Sequence, residues 1–239
     1  LRQEASQPPL YYFLVALATF WINTEDAEEL LWYNPQANIG KPTEPGNKNV
    51  FVHVEGFPYH GTALAVHMAR MVSLLFGTGT VLLTYLIALE VFPGRKSLAI
   101  GAAAFNAFIP QFIFISVAVN NDNAANFFCS LALLLIIRLL CKAQNPNDQI
   151  PIGSFVICHL SLLGIVLGLA SLSKLSTLGL FPLMMLTFAF IAFRRRSIKF
   201  FIQGIAIVLS VAFLVAGWWY IRNWLLYRDP TGLKAMFNV

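Results

Sequence analysis

Three short segments hold residue types that could do chemistry. Asp122 stands in Asn120-Asn121-Asp122-Asn123. One carboxylate beside three amides has the acceptors and donors to orient a sugar or hold an ion. Asn and Asp also favour turns in their own right, because their side chains bond nearby backbone; four in a row exceed what a turn needs. Lys174 stands in Ser173-Lys174-Leu175-Ser176. A lone ammonium there suits a phosphate; the competing role is snorkelling to lipid headgroups. Arg222 falls within Trp218-Trp219-Tyr220-Ile221-Arg222-Asn223-Trp224, a run that also fits an aromatic belt with an anchoring cation. Lys174 and Arg222 together would clamp a lipid phosphate.

A second group precedes these. Glu4 and Gln7 lead into Pro8-Pro9-Leu10-Tyr11-Tyr12, where the prolines fix an extended entry to whatever follows. Arg70 lies near His53, His60 and His67. No HxxxH or HExxH spacing occurs, so polar contacts to a ligand or loop-to-helix tethering suit these histidines better than a metal. No GxGxxG, GxxxxGK[ST] or GxSxG motif occurs either, leaving nucleotide chemistry and serine hydrolysis without support.

What must position these residues is a membrane protein. Of the 239 residues, 58 % are hydrophobic and 11 % charged, and the mean hydropathy is +0.69. Soluble domains carry about 25 % charged residues. A spanning helix needs roughly 20 apolar residues, and six segments qualify: 71–92, 98–119, 124–140, 152–172, 177–193 and 200–221. The run 10–22 is shorter, about 20 Å as a helix, against a hydrocarbon core of about 30 Å. It is expected to lie along the membrane surface. Residues 1–70 then form a non-cytoplasmic head with a Pro/Gly-rich loop, 71–221 a six-helix bundle, and 222–239 the start of a further non-cytoplasmic segment. Within the head, Glu25–Trp32 reads as a short helix capped by Thr24. Pro110 is expected to kink the second span. Gly164 and Gly168 form a small-xxx-small pair suited to close helix approach. Cys129, Cys141 and Cys158 match no zinc or redox spacing and read as small packing residues.

Charge orients the bundle. Arg95, Lys96, Arg138, Lys142, Arg194, Arg195, Arg196 and Lys199 gather on one face against Glu90 and Asp148, while the opposite face is close to neutral. The basic face is the cytoplasmic one by the positive-inside rule, which puts Asp122, Lys174 and Arg222 on the other. The same rule accounts for the net charge of +5 without nucleic acid.

These segments carry a resemblance. Glu4-Ala5-Ser6-Gln7-Pro8-Pro9-Leu10-Tyr11-Tyr12 resembles the segment after the first extracytoplasmic loop of GT-C glycosyltransferases, in particular the bacterial protein O-mannosyltransferase and aminoarabinose-transferase-like group. Residues 117–123 resemble that group's acidic turn, 172–176 its Lys-containing turn, and 218–230 the exit into its next external loop. The resemblance implies an all-α integral membrane protein of the cell membrane, with about six transmembrane helices, a juxtamembrane interfacial helix and a non-cytoplasmic loop. It implies sugar transfer from a polyprenyl-phosphate donor to a lipid, protein or glycan acceptor at the external face.

By the same resemblance Asp122 is the family's second acid, Lys174 a donor-phosphate contact and Arg222 a second one. Asn120, Asn121, Asn123, Glu4, Gln7 and Arg70 complete the substrate-binding set. The family's catalytic carboxylate, a general base, lies in the first external loop after a first membrane helix. Both would precede Leu1, so the chain is expected to be a piece truncated at both ends and inactive alone, unless Glu4 substitutes. No cofactor is certain; a divalent metal beside Asp122 is left open. Expected partners are membrane lipids and the lipid-linked donor. The alternative is a non-catalytic structural subunit or scaffold of a larger membrane complex, with other membrane-protein subunits as partners. A transporter fits less well, since no repeat or charged midplane helix is evident.

Overall fold

Where lipid replaces water, every backbone N–H and C=O must be satisfied within the segment, and a helix does this locally. The computed structural model describes residues 7–35, 37, 50–52, 55–144 and 154–233. Two helices belong to the head: α1 (Leu10–Thr19) and α2 (Ala27–Leu30). Then follow α3 (Gly61–Val91), α4 (Lys96–Ala107), α5 (Pro110–Ser116), α6 (Asp122–Gln144) and α7 (Ser154–Ser173). A 3₁₀ turn (Leu175–Gly179) leads into α8 (Leu180–Arg195), and α9 (Ile198–Tyr227) closes the bundle. Among the described residues five helices, α3 and α6 to α9, are long and apolar enough to cross a membrane, and a sixth span exists if α4 and α5 count as one. The chain is an all-α integral membrane protein.

Several helix bounds differ from the sequence expectation. Helix α3 starts at Gly61 rather than Met71, because a distant carboxylate caps it. Asp26 Oδ1 accepts from Thr62 N at 2.9 Å and from Thr62 Oγ1 at 2.6 Å. That use of Asp26 shortens the expected 25–32 helix to Ala27–Leu30, which has no side-chain cap, and Thr24 is not its N-cap. The second span bends at Pro110 as expected, far enough to split it into α4 and α5 meeting at 67°. Ile109 is extended (φ −66°, ψ 119°), as steric conflict with a following proline ring demands. Finally α9 runs on to Tyr227, beyond the apolar stretch.

Helix α7 lies at the centre, packed along α9 on one side and α6 on the other, while α3 packs along α6. Leu160, Leu163, Leu167 and Ala170 of α7 are essentially inaccessible. Its contact with α9 depends on missing side chains. A Cβ at Gly164 would sit 2.8 Å from the Val208 carbonyl oxygen, and one at Gly168 2.7 Å from Val215 Cβ.

Helix α1 is two-sided. Tyr11 is wholly buried, while Phe13, Leu17, Phe20 and Trp21 are exposed. The head's aromatics pack in pairs, Tyr33 on Phe51 and Tyr59 on the His67 ring of α3.

Candidate functional site

The end of the bundle where α6 begins and α7 finishes collects the polar groups. Asp122 is the first residue of α6, where the helix dipole favours an acid; Lys174 directly follows the last residue of α7, where it favours a cation. The Lys174 ammonium donates to Asp122 Oδ1, closing an ion pair. Each side chain keeps about 32 % of its surface exposed, so the pair is anchored yet reachable.

The neighbouring amides build this corner. Asn121 Nδ2 donates to the Ser173 carbonyl at 3.1 Å, so residues 121 and 122 are bound to 173 and 174 in parallel. The same Nδ2 lies 3.5 Å from Gln7 Oε1, bringing the Pro-Pro entry to the bend. Asn123 Nδ2 donates to the Ile115 carbonyl at 2.8 Å and reaches Ala118 O at 3.2 Å, tying the first turn of α6 to the end of α5. Asn120 Oδ1 accepts from Asp122 N at 2.9 Å. Asn121 and Asn123 are only 4 % and 2 % exposed. Their amides hold the turn, and Asp122 is the side chain the turn presents.

Tyr11 locks the head to this corner, a role its place in the sequence did not reveal. Its hydroxyl lies 2.6 Å from Ser73 Oγ of α3 and makes a backbone hydrogen bond with Asn120. Burial pushes that hydroxyl's pKa up, with the two hydrogen bonds opposing the shift. On the α9 side, Tyr220 Oη donates to Ser171 O at 2.9 Å.

The other candidates stand apart from the pair. Arg222 is exposed, with its guanidinium 5.0 Å from the Trp219 ring centroid and Nη1 donating to Asn223 Oδ1 at 3.2 Å. It lies two residues past Tyr220, about 200° around the helix at 100° per residue, so it projects away from the side that Tyr220 turns to α7. Among the described residues no hydrogen bond or ion pair joins Arg222 to the Asp122–Lys174 pair. Arg70, exposed on α3 one turn before Ser73, lines a cavity of about 570 Å³ under the head together with Glu55, Tyr59 and His67. His67 Nδ1 bonds the Ala63 carbonyl at 2.8 Å. Glu4 and His53 lie outside the described residues.

Divalent cations take several oxygen ligands including carboxylates; among the described residues Asp122 supplies the acid at this corner, and it already faces an ammonium. Among the described residues no three His, Cys, Asp or Glu side chains converge.

A helical membrane bundle with an acid–ammonium pair at one mouth defines the class, and sequence comparison supplies the family. The model of the dolichyl-phosphate-mannose-protein mannosyltransferase family matches residues 50–227. The chain belongs to that family, one of the GT-C glycosyltransferase families. No curated protein and no solved structure matches it.

Proposed function

We propose that the protein takes part in sugar transfer from a polyprenyl-phosphate donor to a lipid, protein or glycan acceptor, with the Asp122–Lys174 corner at the non-cytoplasmic face. The observation that carries this reading is the ion pair itself, an accessible ammonium held at a helix mouth by a carboxylate from the neighbouring helix. In glycosyl transfer from a lipid phosphate the bond from the anomeric carbon to the phosphate oxygen breaks, and negative charge grows on that phosphate. A fixed ammonium stabilises that charge in a site of low dielectric. Lys174 takes this part. Asp122 keeps the ammonium in place and accepts a hydrogen bond from a sugar hydroxyl. Already paired, Asp122 is a positioning group, and the base that takes the acceptor proton is not assigned to it.

Charge supports the orientation. Arg195 Nη2 of α8 donates to the carbonyls of Lys142 and Ala143 at the end of α6, so these basic ends lie together, away from the Asp122 mouth. By the positive-inside rule that end is cytoplasmic. Helix α1 and the turn that ends it, with Phe13, Leu17, Phe20 and Trp21 exposed, lie along the membrane surface on the opposite side.

The test is turnover of a labelled polyprenyl-phosphate sugar by membranes containing the full-length protein, its Asp122→Asn variant or its Lys174→Ala variant. Lys174→Ala is expected to lower turnover by about 100-fold or more, with Asp122→Asn falling between it and the unsubstituted protein. Unchanged turnover in both variants removes these roles.

A further inference from the structure

The opposite end of the bundle holds a feature that sugar transfer does not use. At the α8–α9 turn a cleft of about 740 Å³ is lined by Ala189, Phe193, Ile198 and Phe201 together with Arg194 and Arg196. We propose that this cleft binds an anionic phospholipid, its phosphate between Arg194 and Arg196 and an acyl chain along the apolar surface of α8 and α9.

The turn sets the two guanidinium groups beside one opening. Arg194, in the last turn of α8, has its guanidinium 5.8 Å from the Phe190 ring centroid. Arg196 is the left-handed C-cap (φ 50°), and Ser197 caps α9 by accepting from Phe200 N at 3.3 Å. Arg195 has a different task, since its Nη2 bonds the carbonyls at the end of α6. The nearby acid Glu90 is paired with Arg138 at 2.5 Å, and Asp148 lies outside the described residues. The cleft therefore presents two arginines whose planar donors match phosphate oxygens.

Its walls favour a lipid over a soluble anion. Phe193 and Ile198 at the mouth are 83 % and 70 % exposed, and Leu186 and Ile202, next along the two helices, are 68 % and 60 % exposed. Side chains this apolar need hydrocarbon around them. A basic pocket beside membrane helices on the cytoplasmic side is where acidic headgroups bind. A cavity of this size holds a headgroup and the start of its chains.

The experiment titrates purified protein in neutral detergent with phosphatidylglycerol or phosphatidylcholine and reads bound lipid by native mass spectrometry. The protein is expected to prefer phosphatidylglycerol, and Arg194→Gln with Arg196→Gln to cut that preference about thirtyfold, as two surface arginines would supply. Arg95→Gln with Lys96→Gln removes the same charge from the same end of the bundle and is expected to leave the preference intact. Ala189→Trp keeps every charge but fills the cleft, and is expected to abolish the preference. The proposal is overturned if the 95/96 pair costs as much as the 194/196 pair, since diffuse charge then explains the preference. It is equally overturned if Ala189→Trp binds normally, or if glycerophosphoglycerol, the headgroup without chains, binds as well as the lipid.

Discussion

Lys174 and Asp122 are 52 residues apart in the chain, yet the ammonium of one donates to the carboxylate of the other where α7 ends and α6 begins. Beside them Asn121 bonds Ser173 O, so the corner is braced by backbone as well as by charge. An exposed ion pair alone stabilises by about 0–1 kcal/mol. Replacing Asp122 by Asn is therefore expected to leave unfolding nearly unchanged, and thermal unfolding in detergent checks this. A large loss of stability would recast the pair as structural.

The cap on α3 depends on one glycine. Gly61 is left-handed (φ +53°), and a Cβ there would sit 2.1 Å from Asp26 Oδ2. Gly61→Ala and Asp26→Ala are both expected to speed amide hydrogen exchange over residues 62–65, with Asp26→Asn milder because an acceptor oxygen remains. The two hydrogen bonds from Thr62, the side-chain one foremost, hold the Asp26 carboxyl below its ordinary 3.8. A depressed folded-state pKa stabilises the clamp above the unfolded value and loses that stabilisation as pH falls through the folded one. The clamp is thus expected to be intact at neutral pH and to weaken only as pH falls below 3.8 and through the lowered folded value. An Asp26 titration midpoint at or above 3.8 in the folded protein would contradict this.

Tyr11 and Ser73 form a buried pair. Removing one hydroxyl leaves the other without its partner, at a cost of about 1–3 kcal/mol. Tyr11→Phe and Ser73→Ala are each expected to destabilise by about that much, and the double variant by less than the sum. Unfolding in mixed micelles measures the cycle; strict additivity would mean that the two hydroxyls do not depend on each other.

Gly164 and Gly168 face atoms that a methyl group would overlap, while a Cβ at Gly101 in α4 would meet nothing within 4 Å. Overpacking costs about 1–3 kcal/mol. Gly164→Ala or Gly168→Ala is expected to lower the unfolding midpoint, whereas Gly101→Ala holds or raises it through helix propensity. Equal effects at all three positions would show that α7 and α9 are not held by close approach.

The membrane class was legible because apolar runs near 20 residues leave few other solutions, and the small-xxx-small pair did fall on a tight helix contact. What stayed hidden depends on long-range partners. The start of α3 is polar in sequence (His60, Thr62, His67, Arg70) and helical because Asp26 caps it from 36 residues away. The Asn-rich bend was read as four ligand-facing side chains, yet Asn121 and Asn123 turn inward to satisfy backbone carbonyls. Sequence spacing cannot tell a buried amide from an exposed one. Nor does the aromatic run around Arg222 reveal that its guanidinium packs 5.0 Å from the Trp219 ring centroid.

The most direct measurement of the central claim is the affinity of purified protein for polyprenyl monophosphate, set against the uncharged polyprenol. If Lys174 holds the donor phosphate, Lys174→Ala weakens monophosphate binding by about 10- to 100-fold, the worth of a charge-assisted hydrogen bond. Lys174→Arg recovers part of that loss, and polyprenol binding is the same in all three proteins. Lys174→Ala binding the monophosphate as tightly as the unsubstituted protein, or losing polyprenol to the same degree, would contradict the account.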